Sequence, residues 1–232
     1  MKLFVTTILA LTVSIQAFSQ QLLAQAKSGD NWGYIDKTGA FVIEPQYKNC
    51  HAFAANGLAP IYDKKEKTFY FIKPDGSKLK TSEPKFKLQN VFGFGTLGFT
   101  DGMAPIQVNK KWGYMHESGK VSVPARFDKV RPFGDGLGVA KIGDSFIIIE
   151  SNGTERELNI PGLQDVRKFT DGAAPFKAND KWGFIDTYGK VISEAKFKGI
   201  GYLRNGLAWA KTEDGKVGFI NIKGQTQIEF IY

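Results

Sequence analysis

The stretch Trp112-Gly113-Tyr114-Met115-His116-Glu117-Ser118-Gly119 decides the fold, because it does not occur only once. It returns as Trp32-Gly33-Tyr34-Ile35-Asp36-Lys37-Thr38-Gly39 and as Trp182-Gly183-Phe184-Ile185-Asp186-Thr187-Tyr188-Gly189. Three looser copies run from Phe69-Tyr70-Phe71-Ile72 to Gly76, from Phe146-Ile147-Ile148-Ile149 to Gly153, and from Val217-Gly218-Phe219-Ile220 to Gly224. The six copies begin at 32, 69, 112, 146, 182 and 217, separated by 37, 43, 34, 36 and 35 residues. A second landmark, Asn56-Gly57, Asp101-Gly102, Asp135-Gly136, Asp171-Gly172 or Asn205-Gly206, precedes each of the last five copies. Self-similarity at a period of this length marks a chain built from one stacked supersecondary unit.

Each unit reads as three short strands. The first is the Leu-Ala-Pro-type segment after the Asn/Asp-Gly landmark, the second carries Trp-Gly, and the third follows the turn, as in Phe41-Val42-Ile43. Asp36, Asp186 and Asn221 open that turn, where a short acceptor can bond the backbone ahead, and Gly39, Gly119, Gly189 and Gly224 close it. Trp32 and Tyr34 alternate onto one face of the second strand and Ile35 onto the other, so the strand is apolar on both sides and buried on both. Gly33, Gly113 and Gly183 imply close approach by a neighbouring backbone or ring. With their tryptophans Trp32, Trp112 and Trp182 they are assigned to the repeat core, and burial of all three indoles is expected. Tyr47, Phe127 and Phe197, eight residues after the turn glycines, and Phe53, Phe99, Phe133, Phe169 and Leu203, ahead of the next landmark, are placed as plugs between units.

The Trp-Gly-[Tyr/Phe]-Ile-Asp-x-x-Gly pattern, with its preceding Gly-x-Ala segment, resembles the bacterial WG-repeat (KWG-repeat) family across residues 20–232. The resemblance implies β-rich, often exported modules and brings no catalytic residues with it. The expected fold is all-β, an open array of six stacked three-stranded hairpin units, a solenoid or superhelix. The alternative is a six-bladed β-propeller, whose blades usually need four strands in about 40–45 residues.

The N-terminus carries Lys2, an apolar run from Leu3 to Ile15, and small residues at Ala17 and Ser19. That run is short for a membrane span, and the pattern is that of a secretory signal peptide over 1–19, cleaved before Gln20. The expected location is therefore periplasmic or extracellular, without stable membrane insertion, and nucleic acid is disfavoured as a partner. Losing Lys2 takes the formal charge of the 232-residue chain from +8 to +7.

Chemistry-bearing residues are sparse. One Cys and two His give no disulfide framework and no zinc spacing, so no metal and no cofactor are expected. Cys50 and His51 are chain neighbours, which in an extended backbone point to opposite faces. His116 takes the turn position held elsewhere by Asp36 and Asp186, and the turn accounts for those carboxylates as well as an acid–base pair would. No catalytic residue is assigned.

Charge is more informative. Lys111, Lys181 and Lys216 precede the Trp-Gly position and Lys120 and Lys190 follow the turn, so stacking would align them into basic rows. The plain alternative is a strand edge protected by lysine. Phe94, in the apolar insertion 91–99, and Trp209, outside the motif and expected to be accessible, complete the candidate binding surface. The expected function is a non-enzymatic, exported repeat protein that binds or scaffolds another macromolecule, an unknown protein or envelope polymer, through an extended β surface. The alternatives are a polysaccharide or envelope-polymer binder, and an enzyme with a site near 86–105.

Overall fold

The computed structural model describes residues 23–91 and 95–231. The signal segment, its cleavage boundary and Phe94 lie outside the described residues. Among those described, the chain is built from antiparallel strands and contains no helix. Six sheets follow one another in chain order, and each holds one copy of the motif strand. Sheet one comprises Ala24–Ser28, Asn31–Ile35 and Phe41–Tyr47. Sheet two is the pair Ala59–Asp63 and Thr68–Ile72. Sheets three, four and five place their motif strands at Lys111–His116, Ser145–Glu150 and Lys181–Asp186, and sheet six at Val217–Ile220.

The all-β array is as expected, but the unit is larger than three strands. Sheets three to six each gain a fourth strand from the joint before the landmark: Lys87–Leu88, Lys129–Gly134, Leu163–Val166 and Gly199–Ile200. The Asp-Gly landmarks are the hairpins that connect these joint strands to the next. Asp135 and Gly136 have φ of 51° and 73°, and Asp101-Gly102, Asp171-Gly172 and Asn205-Gly206 match them. Two successive positive φ values make a type I′ turn, whose twist fits a two-residue hairpin. A four-stranded meander is a building unit of propellers and of stacked arrays alike. The insertion contributes a separate small hairpin, Asn90–Val91 with Gly95–Thr96.

The glycine of the motif has a specific cause. Trp112 pairs with Phe127 and Tyr114 with Val123, so the bulged segment Pro124–Arg126 stands opposite Gly113 alone. A Cβ on Gly113 would lie 2.4 Å from the Val123 carbonyl oxygen, and on Gly33 and Gly183 equally close to Ile43 and Ser193 oxygens, at 2.4 and 2.3 Å. Sheet four shows the converse. Its motif strand has Ile147 in place of glycine, and Ile147, Ile148 and Ile149 pair in unbroken register with Glu157, Arg156 and Glu155. Glycine is thus tied to the bulged closing strand.

The cores lie between sheets. Among the described residues there are five hydrophobic clusters, one for each successive pair. None joins sheet six to sheet one. The joint residues plug these interfaces as the sequence implies: Phe127 and Phe133 between sheets three and four, Phe169 between four and five, and Phe197 and Leu203 between five and six. The aromatic in the middle of the motif strand meets the plug of the next unit, with ring centroids 4.8 Å apart for Tyr34–Phe53 and Tyr114–Phe133 and 4.5 Å for Phe71–Phe99. Each fully buried ring of this kind stabilises by roughly 1.5–3 kcal/mol. The Tyr114 hydroxyl donates to the Arg131 carbonyl at 2.7 Å and lies 3.1 Å from that of Val139, so the phenol also fastens the joint strand.

Two glycine substitutions test the bulge. Gly113→Ala forces backbone against backbone and is expected to destabilise by about 1–3 kcal/mol or more in denaturant unfolding. Gly98→Ala is expected to change stability by less than about 0.5 kcal/mol, because its Cβ would meet only the Pro60 ring at 3.7 Å. Equal effects would refute the bulge explanation.

Candidate interaction surface

Antiparallel meanders give the array two long edges with different chemistry. One edge carries the Asn/Asp-Gly hairpins and the turns that close each motif. There Asp36 Oδ1 accepts the N–H groups of Thr38 and Ala40 at 2.8 and 3.2 Å, and Asp186 Oδ1 those of Tyr188 and Lys190 at 2.9 Å each. His116 Nδ1 accepts the N–H of Ser118 at 3.1 Å in the same role. These side chains are turn residues, as the sequence implies. The hairpin aspartates add a ladder between units: Asp101, Asp135 and Asp171 accept the N–H groups of Gly136, Gly172 and Gly206 at 3.1, 2.8 and 3.3 Å. Among the described residues no group of three or more His, Cys, Asp or Glu could hold a metal ion.

The opposite edge carries the motif tryptophans. Trp32, Trp112 and Trp182 are half-buried there and pack against the cores from the rim, so the expected full burial is corrected. The reason is the bulge: the indole pairs with a joint aromatic that takes the inner position, leaving its own ring at the margin. Their glycines Gly33, Gly113 and Gly183 are buried. Trp182 is covered by a cation, the Arg167 guanidinium lying 3.8 Å from its ring centre while Arg167 Nη1 donates to the Ile200 carbonyl at 2.8 Å.

Trp112 faces a groove of ≈ 470 Å³ that runs across sheets three, four and five. Lys129, Arg131, Lys141 and Lys177 line it, against one carboxylate, Asp165, with Phe146 in its wall and Gln89 and Gln164 at its margins. Arg131 Nη2 donates to Asp165 Oδ1 at 2.8 Å and Lys177 Nζ to Asp180 Oδ1 at 2.8 Å. Lys129 and Lys141 have no ion pair among the described residues, and the Lys141 ammonium stands 5.1 Å over the Phe146 ring. The groove is therefore a positive slot with apolar walls.

The expected lysine rows are placed differently. Lys111 donates to Asp128 at 2.6 Å, Lys181 to Glu213, and Lys216 pairs with Asp214 at 3.1 Å. Acidic neighbours thus offset all three. Lys120 and Lys190 are exposed beyond the motif turns, on the edge of the Asn/Asp-Gly hairpins, and Trp209 is 43 % exposed on sheet six. Sequence reading missed Lys129, Arg131 and Lys141. Their signal was the Asp135-Gly136 hairpin, which aligns residues 129–134 beside 137–142 and brings Lys129 opposite Lys141.

The family model for the WG-containing repeat matches residues 32–65, 96–112, 112–145 and 182–216. The chain belongs to the WG-repeat family. No curated protein matches it. Among solved structures it is similar to a eukaryotic initiation factor, at 14% identity over 91% of this chain and a TM-score of 0.62. This chain spans 62% of that one. It is also similar to Kluyveromyces lactis Hsv2, at 9% identity over 88% of this chain and 72% of the other, with a TM-score of 0.51. At such identities the likeness is one of fold, to structures of the β-propeller kind. This WG-repeat chain is thus a β-repeat protein.

The Lys111–Asp128 pair supplies a pH test. The hydrogen bond from Lys111, reinforced by the Gly143 N–H at 2.8 Å, holds the Asp128 carboxyl below the ordinary carboxylate value. A depressed folded value means the contribution is present above the unfolded value, about 3.9, and is lost as pH falls through the folded one. The melting temperature is expected to drop on acidification below about pH 4, and less steeply in Asp128→Asn. Identical acid profiles would refute the pairing.

Proposed function

We propose that this chain is an exported, non-enzymatic module that binds an acidic segment of another protein in the groove across sheets three to five. The observation that carries this reading is the lining itself. Four cations face one carboxylate beside the half-buried Trp112, and among the described residues neither Lys129 nor Lys141 forms a close ion pair, Lys141 feeling Asp128 only at longer range. An extended acidic peptide would exchange its hydration for these charges, while its apolar atoms meet Trp112 and the Phe146 wall. The non-enzymatic reading is supported by the use already made of the candidate acid–base groups, since Asp36, Asp186 and His116 serve their turns. Export is supported by the signal pattern at 1–19, and N-terminal sequencing of the exported protein is expected to begin at Gln20.

The test of the groove is titration of a labelled oligoglutamate peptide. Binding is expected to weaken as salt is raised, and Lys129→Glu with Lys141→Glu is expected to weaken it roughly tenfold or more. Salt-insensitive binding, or binding unchanged in the double variant, would overturn the proposal. Retention on an uncharged glycan, lost when Trp112 is replaced, would support the polysaccharide alternative instead.

A further inference from the structure

Stacking gives every sheet a forward face, which meets the next sheet, and a backward face, which meets the previous one. The middle aromatic or aliphatic residue of the motif strand points forward. Tyr34, Phe71, Tyr114, Ile148 and Phe184 all do so, and all five are fully buried. The closing strand contributes a second forward position: Ile43 and Val123 are 4% and 1% exposed.

Sheet six repeats this face, and no other sheet among the described residues packs on it. Its equivalents are Phe219, only partly buried, and Ile228, 44% exposed. Leu207 and Trp209 extend the face, and together with Tyr202 they line a mainly apolar depression that Arg204 borders. The Trp209 indole lies across Gly201 of its own joint strand, where a Cβ would come within 2.5 Å of it, so the ring widens the face.

Among the described residues, sheet one leaves the complementary side uncovered. The motif residue after the middle position points backward, and Ile72, Met115, Ile149, Ile185 and Ile220 there are fully buried in cores shared with the preceding sheet. In sheet one this position is Ile35, only partly buried, with Phe41 beside it and the exposed Ala24 paired across from it. Apolar forward positions at one end are therefore matched by apolar backward positions, Ile35 and Phe41, at the other, the same positions that the five interior interfaces use.

We infer that the chain self-associates head to tail, the forward face of sheet six in one copy seating on the backward face of sheet one in the next. The occupant is a second copy because the interface continues the intrachain stacking with the same residue positions. Such a contact is heterologous: each copy keeps one open face of each kind, and growth proceeds until a ring closes or the supply ends. This inference is independent of the groove, which lies on sheets three to five.

The test follows the mass of the protein and mixes two variants, each with one face blocked. The full chain of 25.7 kDa, and beside it the form recovered from a host that processes its N-terminus, is followed by light scattering over a dilution series. Mass above that of one copy, rising with concentration, is expected for at least one form. Ile228→Asp blocks the forward face and Ala24→Arg the backward face, both at exposed positions where folding is retained, as circular dichroism checks. Each variant alone is expected to stay monomeric, and their equimolar mixture to form a one-to-one dimer that grows no further. Monomers in every form would overturn the inference, and would mean that the faces are covered within one chain. Association of the Ala24→Arg variant with itself would overturn it too, since that requires two forward faces to meet.

Discussion

The structure depends on one contact that no sheet can make alone. A strand with Tyr114 on one face and Met115 on the other exposes apolar surface both ways. Only a sheet on each side removes it from water. The contact is renewed at every period by the forward residue of the motif strand, a ring or Ile148, and a plug from the next joint, as in Tyr114 against Phe133. Because each plug is covalently part of the unit that follows, chain order and stacking order coincide. Stability then accumulates by neighbours, as in other repeat proteins.

Backbone geometry sets what this stacking can carry. The bulge opposite Gly113 draws Phe127 into the interface and moves Trp112 to the rim. The two edges diverge as a result. One is committed to turns, its carboxylates and His116 consumed by backbone N–H groups and its aspartates linking unit to unit. The other keeps indole surface and the cation-rich groove across sheets three to five.

How much was legible follows from locality. The turn roles of Asp36, Asp186 and His116, the glycine constraint and the joint plugs all arise within one unit, and the sequence states them directly. The fourth strand was also written there, since Asp135-Gly136 between apolar runs is a type I′ hairpin signal. Treating the landmark as the start of a strand hid it. What the sequence could not disclose was partnership between units. Lys111, Lys181 and Lys216 align by repeat position, yet Asp128, Glu213 and Asp214 offset them, and all three acids lie outside the motif, Asp214 in the same turn as Lys216. The rim position of the tryptophans was hidden for a similar reason, because it depends on a register shift in the facing strand.

Nearest-neighbour stacking is tested most directly by hydrogen exchange after Leu203→Ala, which empties the core between sheets five and six at a cost of about 2–5 kcal/mol. Loss of amide protection concentrated in sheet six, with sheets one to four retaining theirs, is the expected result. Loss in sheet one together with sheet six, as a sixth core joining the two ends would require, would contradict it.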